Sequence, residues 1–245
     1  MDLDAVVMAA GEGRRLRPLT ERWPKPVLPI DGRPVIGTLL RELAGAGFPR
    51  VTVIVGQLGE QVRALVGDGA GFGLQVRYAE QPSADGSADA VRRALAAGAR
   101  LPALVAAADT VFRPGDVAAA AAAWRGSGCP FGLAVRAVPR EDLGERTPVE
   151  ACDGRVVALG LSDTVSQSRA AGEEVVGGVA AAPLWFLGAE AGPLLEGLGG
   201  PPYELAEVLR RALAAGEPVA ALEIGPTRDL TRPADVVARN FPYLG

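Results

Sequence analysis

The chain has 245 residues, of which 49% are hydrophobic, so it is long enough for one large α/β domain with a full core. Its net charge is −4, which argues against binding to nucleic acid because that function requires a basic surface. The absence of histidine excludes Ser-His-Asp catalysis, Cys-His catalysis and imidazole metal ligands. Any chemistry must therefore use carboxylates, lysine, arginine and metal ions.

The two cysteines and the apolar runs bear on the cellular location. Cys129 and Cys152 lie far apart in the sequence and lack CxxC spacing, which supports neither a disulfide framework nor a thiolate zinc site. The N-terminus is acidic where a signal peptide is basic, and no unbroken apolar run reaches the about 18 residues of a membrane span. We therefore predict a cytoplasmic protein that binds no membrane.

In the first half of the chain, apolar runs alternate with helical patterns. Strands are predicted at residues 5–9, 51–55, 74–78 and 103–107. Helices are predicted at residues 35–46, 60–66 and 87–97, and from Pro114 onward, where the proline suits a first helical turn. This β-α-β rhythm predicts a mainly parallel sheet with helices on both faces.

From Phe131 onward the pattern changes to strands that are separated by turns rich in glycine, aspartate and serine. Strands are predicted at residues 131–138, 155–161, 175–187 and 219–223, and helices at 204–215 and 233–239. We therefore predict an α/β fold with three layers, in which a Rossmann-like, mainly parallel mixed sheet carries an antiparallel or mixed insertion. Residues 1–245 are predicted to form a single domain, with a mobile loop at 162–174.

The first glycine-rich loop follows the first predicted strand and reads AAGEGRRLRPLTERWPKPVLPI. Gly11 and Gly13 are expected to adopt positive φ and to turn backbone N–H groups toward a phosphate. Positive charge comes from four residues of this loop: Arg14, Arg15, Arg17 and Lys25, the last being the only lysine of the chain. The loop is neither a Walker A loop nor a dinucleotide fingerprint. The alternative is an ordinary turn with solvated arginines.

Three further positions follow predicted strands, where ligands bind in open α/β sheets. Gln81 and Gly86 offer an amide and open backbone groups to a flat polar ligand such as a nucleobase, with an ordinary turn as the alternative. Asp109 is either a helix cap or a metal ligand, and Asp229 is a helix cap, a turn former or a metal ligand. If the two converge, they would hold Mg²⁺, which binds few protein oxygens and takes the rest from substrate phosphates and water. Asp116, Asp163 and Asp235 are weaker candidates for metal ligands and are predicted to be exposed.

In order along the chain, these motifs resemble those of the sugar-1-phosphate nucleotidylyltransferases. The glycine-rich loop is similar to that family's LAAGxGTRLxPLTxxxPKPxxP signature, and Gln81-Pro82 with Gly86 is similar to its base-reading QPxPxGLAxA stretch. Asp109 and Asp229 stand where the family's GD and WxDxGTP aspartates fall. The resemblance implies that a nucleotidyl group passes from a nucleoside triphosphate, with dTTP or UTP favoured, to a sugar 1-phosphate or related phosphorylated alcohol, and that pyrophosphate is released.

The resemblance also implies roles for single residues. Arg15 and Lys25 would be catalytic, with Arg15 on the leaving pyrophosphate and Lys25 facing the α-phosphate and the incoming phosphate. Asp109 and Asp229 would hold Mg²⁺ as cofactor. The implied nucleotide-binding residues are Ala10, Gly11, Glu12, Gly13, Arg14, Gln81, Pro82, Gly86 and Ser87. Gly178, which matches the family's NAG-type turn, would contact the acceptor.

By this resemblance, residues 1–128 and 218–245 form the nucleotide-binding part, and residues 129–217 form the acceptor-binding part. Departures from the family pattern cluster in the second part, where residues 160–163 replace the usual Glu-Glu-Lys-Pro segment. Two alternative functions therefore stay open. One is a non-catalytic, nucleotide-binding regulatory subunit, and the other is a CTP-dependent transferase acting on a non-sugar phosphate. Whether the chain forms a homo-oligomer also stays open.

Overall fold

The computed structural model describes residues 3–139, 146–160 and 177–241. The strands of these ranges are β1 (Asp4–Ala9), β2 (Pro29–Ile30), β3 (Arg33–Pro34), β4 (Arg50–Val55), β5 (Gln75–Glu80), β6 (Ala103–Ala107), β7 (Thr110–Val111), β8 (Phe131–Pro139), β9 (Val149–Cys152), β10 (Arg155–Leu159), β11 (Gly177–Leu187), β12 (Val219–Glu223) and β13 (Arg228–Asp229). The α-helices are α1 (Val35–Gly45), α2 (Gly59–Val66), α3 (Ser87–Ala96), α4 (Asp116–Ser127), α5 (Ala191–Glu196), α6 (Leu205–Ala214) and α7 (Pro233–Asn240). Short 3₁₀ turns lie at Arg14–Leu16, Leu19–Glu21, Lys25–Val27 and Ala70–Phe72.

Parallel pairing builds the half of the main sheet that contains β1. This strand lies between β4 and β6, with Ala5 opposite Val51 on one side and Leu104 on the other, and β4 also pairs in parallel with β5. The carboxyl ends of these strands meet at one edge of the sheet, so the loops that follow β1, β5 and β6 converge there. This edge carries the candidate site.

The other half of the sheet is mixed. β11 pairs antiparallel with both β6 and β8, β8 pairs in parallel with β12, and β10 pairs antiparallel with β12 and β9. The resulting order in the described ranges is β5-β4-β1-β6-β11-β8-β12-β10-β9. The strands predicted from Phe131 onward as an insertion therefore extend the same mixed sheet.

Helices cover both faces of this sheet. α1, α2 and α4 pack on one face in a cluster that includes Ile36, Val62 and Val117. α3, α5 and α6 pack on the opposite face. Within β1, Val7 belongs to the first cluster and Val6 to the second, as expected for a strand whose successive side chains point to opposite faces. The predicted three-layer α/β architecture is confirmed. In the described ranges no helix combines the length and apolarity that crossing a membrane requires.

Two hairpins were not predicted, although the strand predicted at 155–161 covers β10. β9 and β10 are joined by Asp153 and Gly154, both with positive φ, and β2 and β3 are joined in the same way by Asp31 and Gly32. Two consecutive residues with positive φ form a type I′ turn, for which Asp-Gly is a preferred sequence. The sequence therefore contained a usable signal for both hairpins. α5 was also missed, because its short segment is rich in glycine and contains proline.

The predicted start of the fourth helix is wrong by two residues. α4 begins at Asp116, and Pro114 lies outside it because Gly115 has a φ of 87°, which a helix cannot include. The Gly115 N–H donates to Oε2 of Glu42 on α1 at 2.9 Å. This hydrogen bond joins the residue that precedes α4 to α1.

Candidate active site

A cavity of about 460 Å³ opens at the edge of the sheet where β1, β5 and β6 end. Ten of its lining residues were predicted from the sequence: Ala10, Gly11, Gly13, Arg14, Arg15, Lys25, Gln81, Gly86, Ser87 and Asp109. The structure does not bring four other predicted residues to the cavity wall: Glu12, Pro82, Gly178 and Asp229. The cavity therefore collects residues from three separate loops, as the rule for open α/β sheets predicts.

The first loop is folded around Gly13. Gly13 has a φ of 60°, and its carbonyl oxygen accepts hydrogen bonds from the Leu16 N–H at 2.8 Å and from the Thr20 hydroxyl at 2.9 Å. A Cβ at this position would lie 2.8 Å from the Thr20 methyl group, so the position requires glycine. The positive φ predicted for Gly11 is wrong, because Gly11 is not among the glycines in the left-handed region. A Cβ at Gly11 would meet no protein atom within 4 Å and would instead occupy the open space at the cavity wall.

The loop also positions two arginines differently. Arg15 lines the cavity and is exposed to it. Arg14 also lines the cavity, but its guanidinium donates to the Glu12 carboxylate at 2.7 Å. This hydrogen bond, together with the charge of Arg14, holds the pKa of the Glu12 carboxyl below its usual range. Because Arg14 is already paired, Arg15 is the better placed of the two to meet an anion.

Lys25 and Asp109 meet in the cavity although they are far apart in the sequence. The Lys25 ammonium donates to Oδ2 of Asp109 at 2.6 Å, and the lysine side chain is only 14% exposed. The 3₁₀ turn Lys25–Val27, which is flanked by Pro24, fixes the lysine, while Asp109 follows β6 next to β1. Asp109 caps no described helix. The ion pair therefore places a nearly enclosed cation beside a carboxylate at the point where the first and third loops meet.

Asp229 lies next to Asp109 through a short pairing of strands. Asp229 of β13 is the antiparallel partner of Thr110 in β7, the residue that follows Asp109. Its carboxylate accepts a hydrogen bond from the Arg146 guanidinium at 3.1 Å. Asp229 itself is absent from the cavity wall, whereas the two residues that follow it, Leu230 and Thr231, line the cavity. Asp109 thus directly precedes the strand that pairs with β13, and each of the two aspartates is paired with one cation.

Asp109 and Asp229 are the carboxylates at the candidate site that could hold a metal ion. The described residues contain no group of three or more Asp, Glu or Cys side chains placed to hold a metal ion. A site with two carboxylates suits Mg²⁺, which commonly takes one or two protein carboxylates and completes its shell with phosphate oxygens and water.

Asp116 and Asp235 are half-buried and not exposed as predicted. The Asp116 carboxylate accepts a hydrogen bond from the Gly225 N–H, and the Asp235 carboxylate accepts hydrogen bonds from the N–H groups of Thr231 and Arg232.

The second loop is held in place by its neighbours. The Gln81 side chain is buried and reaches the cavity after β5, and Gly86 has a φ of 106°. The Tyr203 carbonyl oxygen would lie 2.2 Å from a Cβ at Gly86, and it accepts a hydrogen bond from the Ala88 N–H at 2.8 Å. The Ser87 hydroxyl donates to Oε2 of Glu204 at 2.5 Å. The segment before α6 therefore clamps the loop at the cavity.

Glu204 is the main residue of the cavity wall that was not predicted. It lies 117 positions from its partner Ser87, and no motif in its own segment marks it. Gly178 lies on β11 opposite Val138 of β8, away from the cavity wall. The mobile loop predicted at 162–174, Asp163, and most of the departure at 160–163 lie outside the described residues.

Comparison with known proteins gives the family. Residues 4–143 match the family model for nucleotidyl transferases. The chain is 40% identical over 81 residues to an N-acetylmuramate alpha-1-phosphate uridylyltransferase of Neisseria meningitidis, which covers 33% of this chain and 35% of the relative. It is 42% identical over 89 residues to a glucose-1-phosphate thymidylyltransferase of Streptomyces antibioticus, which covers 36% of this chain and 25% of the relative. The aligned part therefore spans about a third or less of these relatives.

A solved structure supports the fold over the whole chain. The chain superposes on a UDP-glucose pyrophosphorylase complexed with UDP-glucose with a TM-score of 0.81 at 16% identity, and the match covers 100% of this chain and 99% of that one. At this identity the likeness shows a shared architecture. Together with the match over residues 4–143, it shows that the chain belongs to the nucleotidyl transferase family.

Proposed function

We propose that this protein transfers a nucleotidyl group from a nucleoside triphosphate, with UTP or dTTP favoured, to a sugar 1-phosphate or related phosphorylated alcohol. The observation that carries this proposal is the meeting of the Gly11–Gly13 loop, the only lysine and Asp109 on one cavity. The loop offers backbone N–H groups and arginine to phosphates, while Lys25 supplies a fixed positive charge. Gln81 and Gly86 lie on the same cavity, where a base would be read.

The proposed reaction needs no general base. The acceptor phosphate has a second pKa of about 6 and is largely dianionic at neutral pH, so it can attack the α-phosphorus directly. A new bond forms between the acceptor oxygen and this phosphorus, the bond to the β-phosphate oxygen breaks, and pyrophosphate leaves with the electron pair. Arg15 is placed to neutralise the leaving pyrophosphate and Lys25 the α-phosphate, which is the electrostatic stabilisation that such transfers require. The absence of histidine is therefore no obstacle.

The same proposal includes Mg²⁺. Asp229 lies on β13 and Asp109 directly precedes the partner strand β7; both offer carboxylate oxygens, the donor type that Mg²⁺ prefers, so the residues present fit the ion. When bound, Mg²⁺ supplies charge neutralisation for the phosphates. Each carboxylate also pairs with a cation, Asp109 with Lys25 and Asp229 with Arg146.

We assign residues 129–217 to the acceptor-binding part, with Gly178 in it, and residues 1–128 and 218–245 to the nucleotide-binding part. The support is that every predicted nucleotide residue on the cavity wall lies in the first 109 positions. We also propose a cytoplasmic location, because Cys129 and Cys152 are both unpaired.

Pyrophosphate release tests this function. The purified chain is incubated with Mg²⁺ and each combination of UTP, dTTP, CTP, ATP and GTP with a panel of sugar 1-phosphates and non-sugar phosphates. Release with UTP or dTTP and a sugar 1-phosphate is the expected result. Nucleotide binding without turnover for any pair would establish the regulatory alternative, and turnover confined to CTP with a non-sugar phosphate would establish the other one.

Gly11→Ala is expected to weaken UTP binding without affecting the fold. The added methyl group meets no protein atom within 4 Å, so the melting temperature should stay at the wild-type value. The methyl group would instead keep a phosphate from the backbone N–H, and the loss of one charge-assisted hydrogen bond raises Kd by about tenfold or more. Calorimetric titration with UTP measures this. Gly45→Ala, which also meets no atom but lies in α1, is the matched control and should bind UTP normally.

Asp109→Asn is expected to raise the Mg²⁺ concentration that gives half-maximal pyrophosphate release by at least about tenfold. The substitution keeps the shape of the side chain but removes one of the two negative charges proposed for the ion. A magnesium titration of the initial rate measures the shift. Asp116→Asn removes a half-buried carboxylate outside the cavity and should leave the titration unchanged. An unshifted midpoint in Asp109→Asn would remove this residue from the proposed metal site.

A further inference from the structure

The Gln81 carboxamide is held by two acceptors behind the cavity wall. Its Nε2 donates to the Gly86 carbonyl oxygen at 2.9 Å and to Oδ2 of Asp89 on α3 at 2.9 Å. A primary amide has two N–H donors, so both are engaged. The oxygen Oε1 is then the part of the carboxamide left for a ligand in the cavity that Gln81 lines.

Asp89 is itself fixed in the role of an acceptor. Its side chain is 12% exposed, and its Oδ2 also accepts a hydrogen bond from Nε of Arg93 at 2.5 Å. Arg93 in turn donates from Nη1 to the Glu80 carbonyl oxygen at 3.2 Å, which ties α3 to the end of β5. A carboxylate in an ion pair accepts hydrogen bonds and donates none. If Gln81 rotated to exchange its oxygen and nitrogen, two acceptors would face each other both at Asp89 and at Gly86.

We infer that Asp89 is a positioning residue that selects the base: it locks Gln81 so that only a hydrogen-bond acceptor faces the nucleotide. Uracil and thymine carry a ring N3–H donor that satisfies this acceptor, whereas cytosine in the same pose places an unprotonated N3 against it. Two opposed acceptors at a buried site are strongly unfavourable, and sites built to bind an N–H reject analogues that lack it. This inference rests on the proposed function and adds to it the residue that separates uridine and thymidine nucleotides from cytidine nucleotides.

The test compares UTP with CTP in Asp89→Asn. The wild-type chain is expected to favour UTP over CTP by at least about 10²-fold in kcat/KM. Asparagine keeps the size of the side chain but has an N–H that can face Gln81 Oε1, so the carboxamide is no longer locked and the preference should shrink at least about tenfold. A purely structural role for Asp89 would lower both rates alike and leave their ratio unchanged.

Glu80→Gln is the matched control. It removes one negative charge from the residue next to Gln81, but the Glu80 side chain points to solvent, where it is 73% exposed and pairs with Arg63. Its UTP to CTP ratio should equal that of the wild type. Equal use of UTP and CTP by the wild type, or an unchanged ratio in Asp89→Asn, would overturn the inference while leaving the proposed transfer intact.

Binding measurements test the inference even if the chain catalyses no transfer. If no nucleotide and acceptor pair gives turnover, the proposed function fails, but calorimetric titration with UTP and CTP still tests the lock on Gln81. Tighter binding of UTP in the wild type that is lost in Asp89→Asn would support the inference. Equal affinities in the wild type would overturn it. If Asp89→Asn melts well below the wild type, Arg93→Gln provides a second variant, since it removes the ion pair that holds the carboxylate.

Discussion

Lys25→Ala is expected to reduce kcat for pyrophosphate release by at least about 10²-fold, the scale of losing one electrostatic contact to the transition state. Lys25 is the only lysine of the chain, and its ammonium is nearly enclosed and lies 2.6 Å from Asp109. No other cation of the loop occupies this position, because Arg14 is paired with Glu12 and Arg15 is proposed to meet the pyrophosphate. We expect kcat to fall more than KM rises, since the two anionic phosphate groups that Lys25 is proposed to face are closest together in the transition state.

Two further variants separate the effect of the Lys25 charge from the loss of side-chain packing and from the loss of any positive charge in this loop. Lys25→Met retains most of the aliphatic stem and removes only the charge, so it should lose as much activity as Lys25→Ala if the ammonium is the group that matters. Arg22→Ala removes an exposed cation from the same run outside the cavity wall and should retain the wild-type rate. A near-normal kcat in Lys25→Met would remove Lys25 from the catalytic residues.

The regular elements of the first half could be predicted because periodicity and burial agree there. The strand predicted at 103–107 has the same bounds in β6, since a fully apolar run in the interior of a sheet that helices cover on both faces is buried on both sides. The hairpins around Asp31-Gly32 and Asp153-Gly154 were missed although their turn chemistry was present in the sequence. The Asp-Gly dipeptide is the signal that predicts such a turn.

In the candidate site, the features that depend on contacts between residues distant in the sequence could not be predicted. That the loops carrying Lys25 and Asp109 converge follows from topology alone, because they lie next to the carboxyl ends of adjacent parallel strands. The conformation of Gly11 could not be read in this way, because the turn is set by a contact between Gly13 and a threonine seven positions later. Glu204 was equally hidden, because its contact with Ser87 depends on how α3 and α6 pack.

Gly86→Ala is expected to destabilise the fold by about 2–6 kcal/mol, which combines the strain of a non-glycine residue in this backbone region with the cost of overpacking. Gly86 has a φ of 106°, and its Cβ would lie 2.2 Å from the Tyr203 carbonyl oxygen, a backbone atom that cannot rotate away. Thermal unfolding should therefore show a melting temperature lower by at least about 5 °C.

Gly47→Ala separates the two contributions. Gly47 also has a positive φ, of 81°, but a Cβ there meets no atom within 4 Å, so this variant carries the strain of a positive φ without a collision. It should cost only about 1 kcal/mol and leave UTP binding unchanged. Equal decreases in melting temperature in the two variants would show that the collision with Tyr203 contributes nothing to the destabilisation.

Gly86→Ala is also expected to weaken nucleotide binding, because the loop that contains Gly86 contacts both Gln81 and Tyr203. The Gly86 carbonyl oxygen accepts from Gln81, and the Asp85 carbonyl oxygen accepts from the Tyr203 N–H at 2.7 Å. Moving Gly86 away from Tyr203 therefore displaces an acceptor that orients the Gln81 amide. We expect Kd for UTP to rise at least about tenfold at a temperature where Gly86→Ala is still fully folded, the effect of one lost hydrogen bond to a buried group. Since Gly47→Ala leaves Gln81 untouched, a rise confined to Gly86→Ala would tie base binding to the packing of this loop against Tyr203.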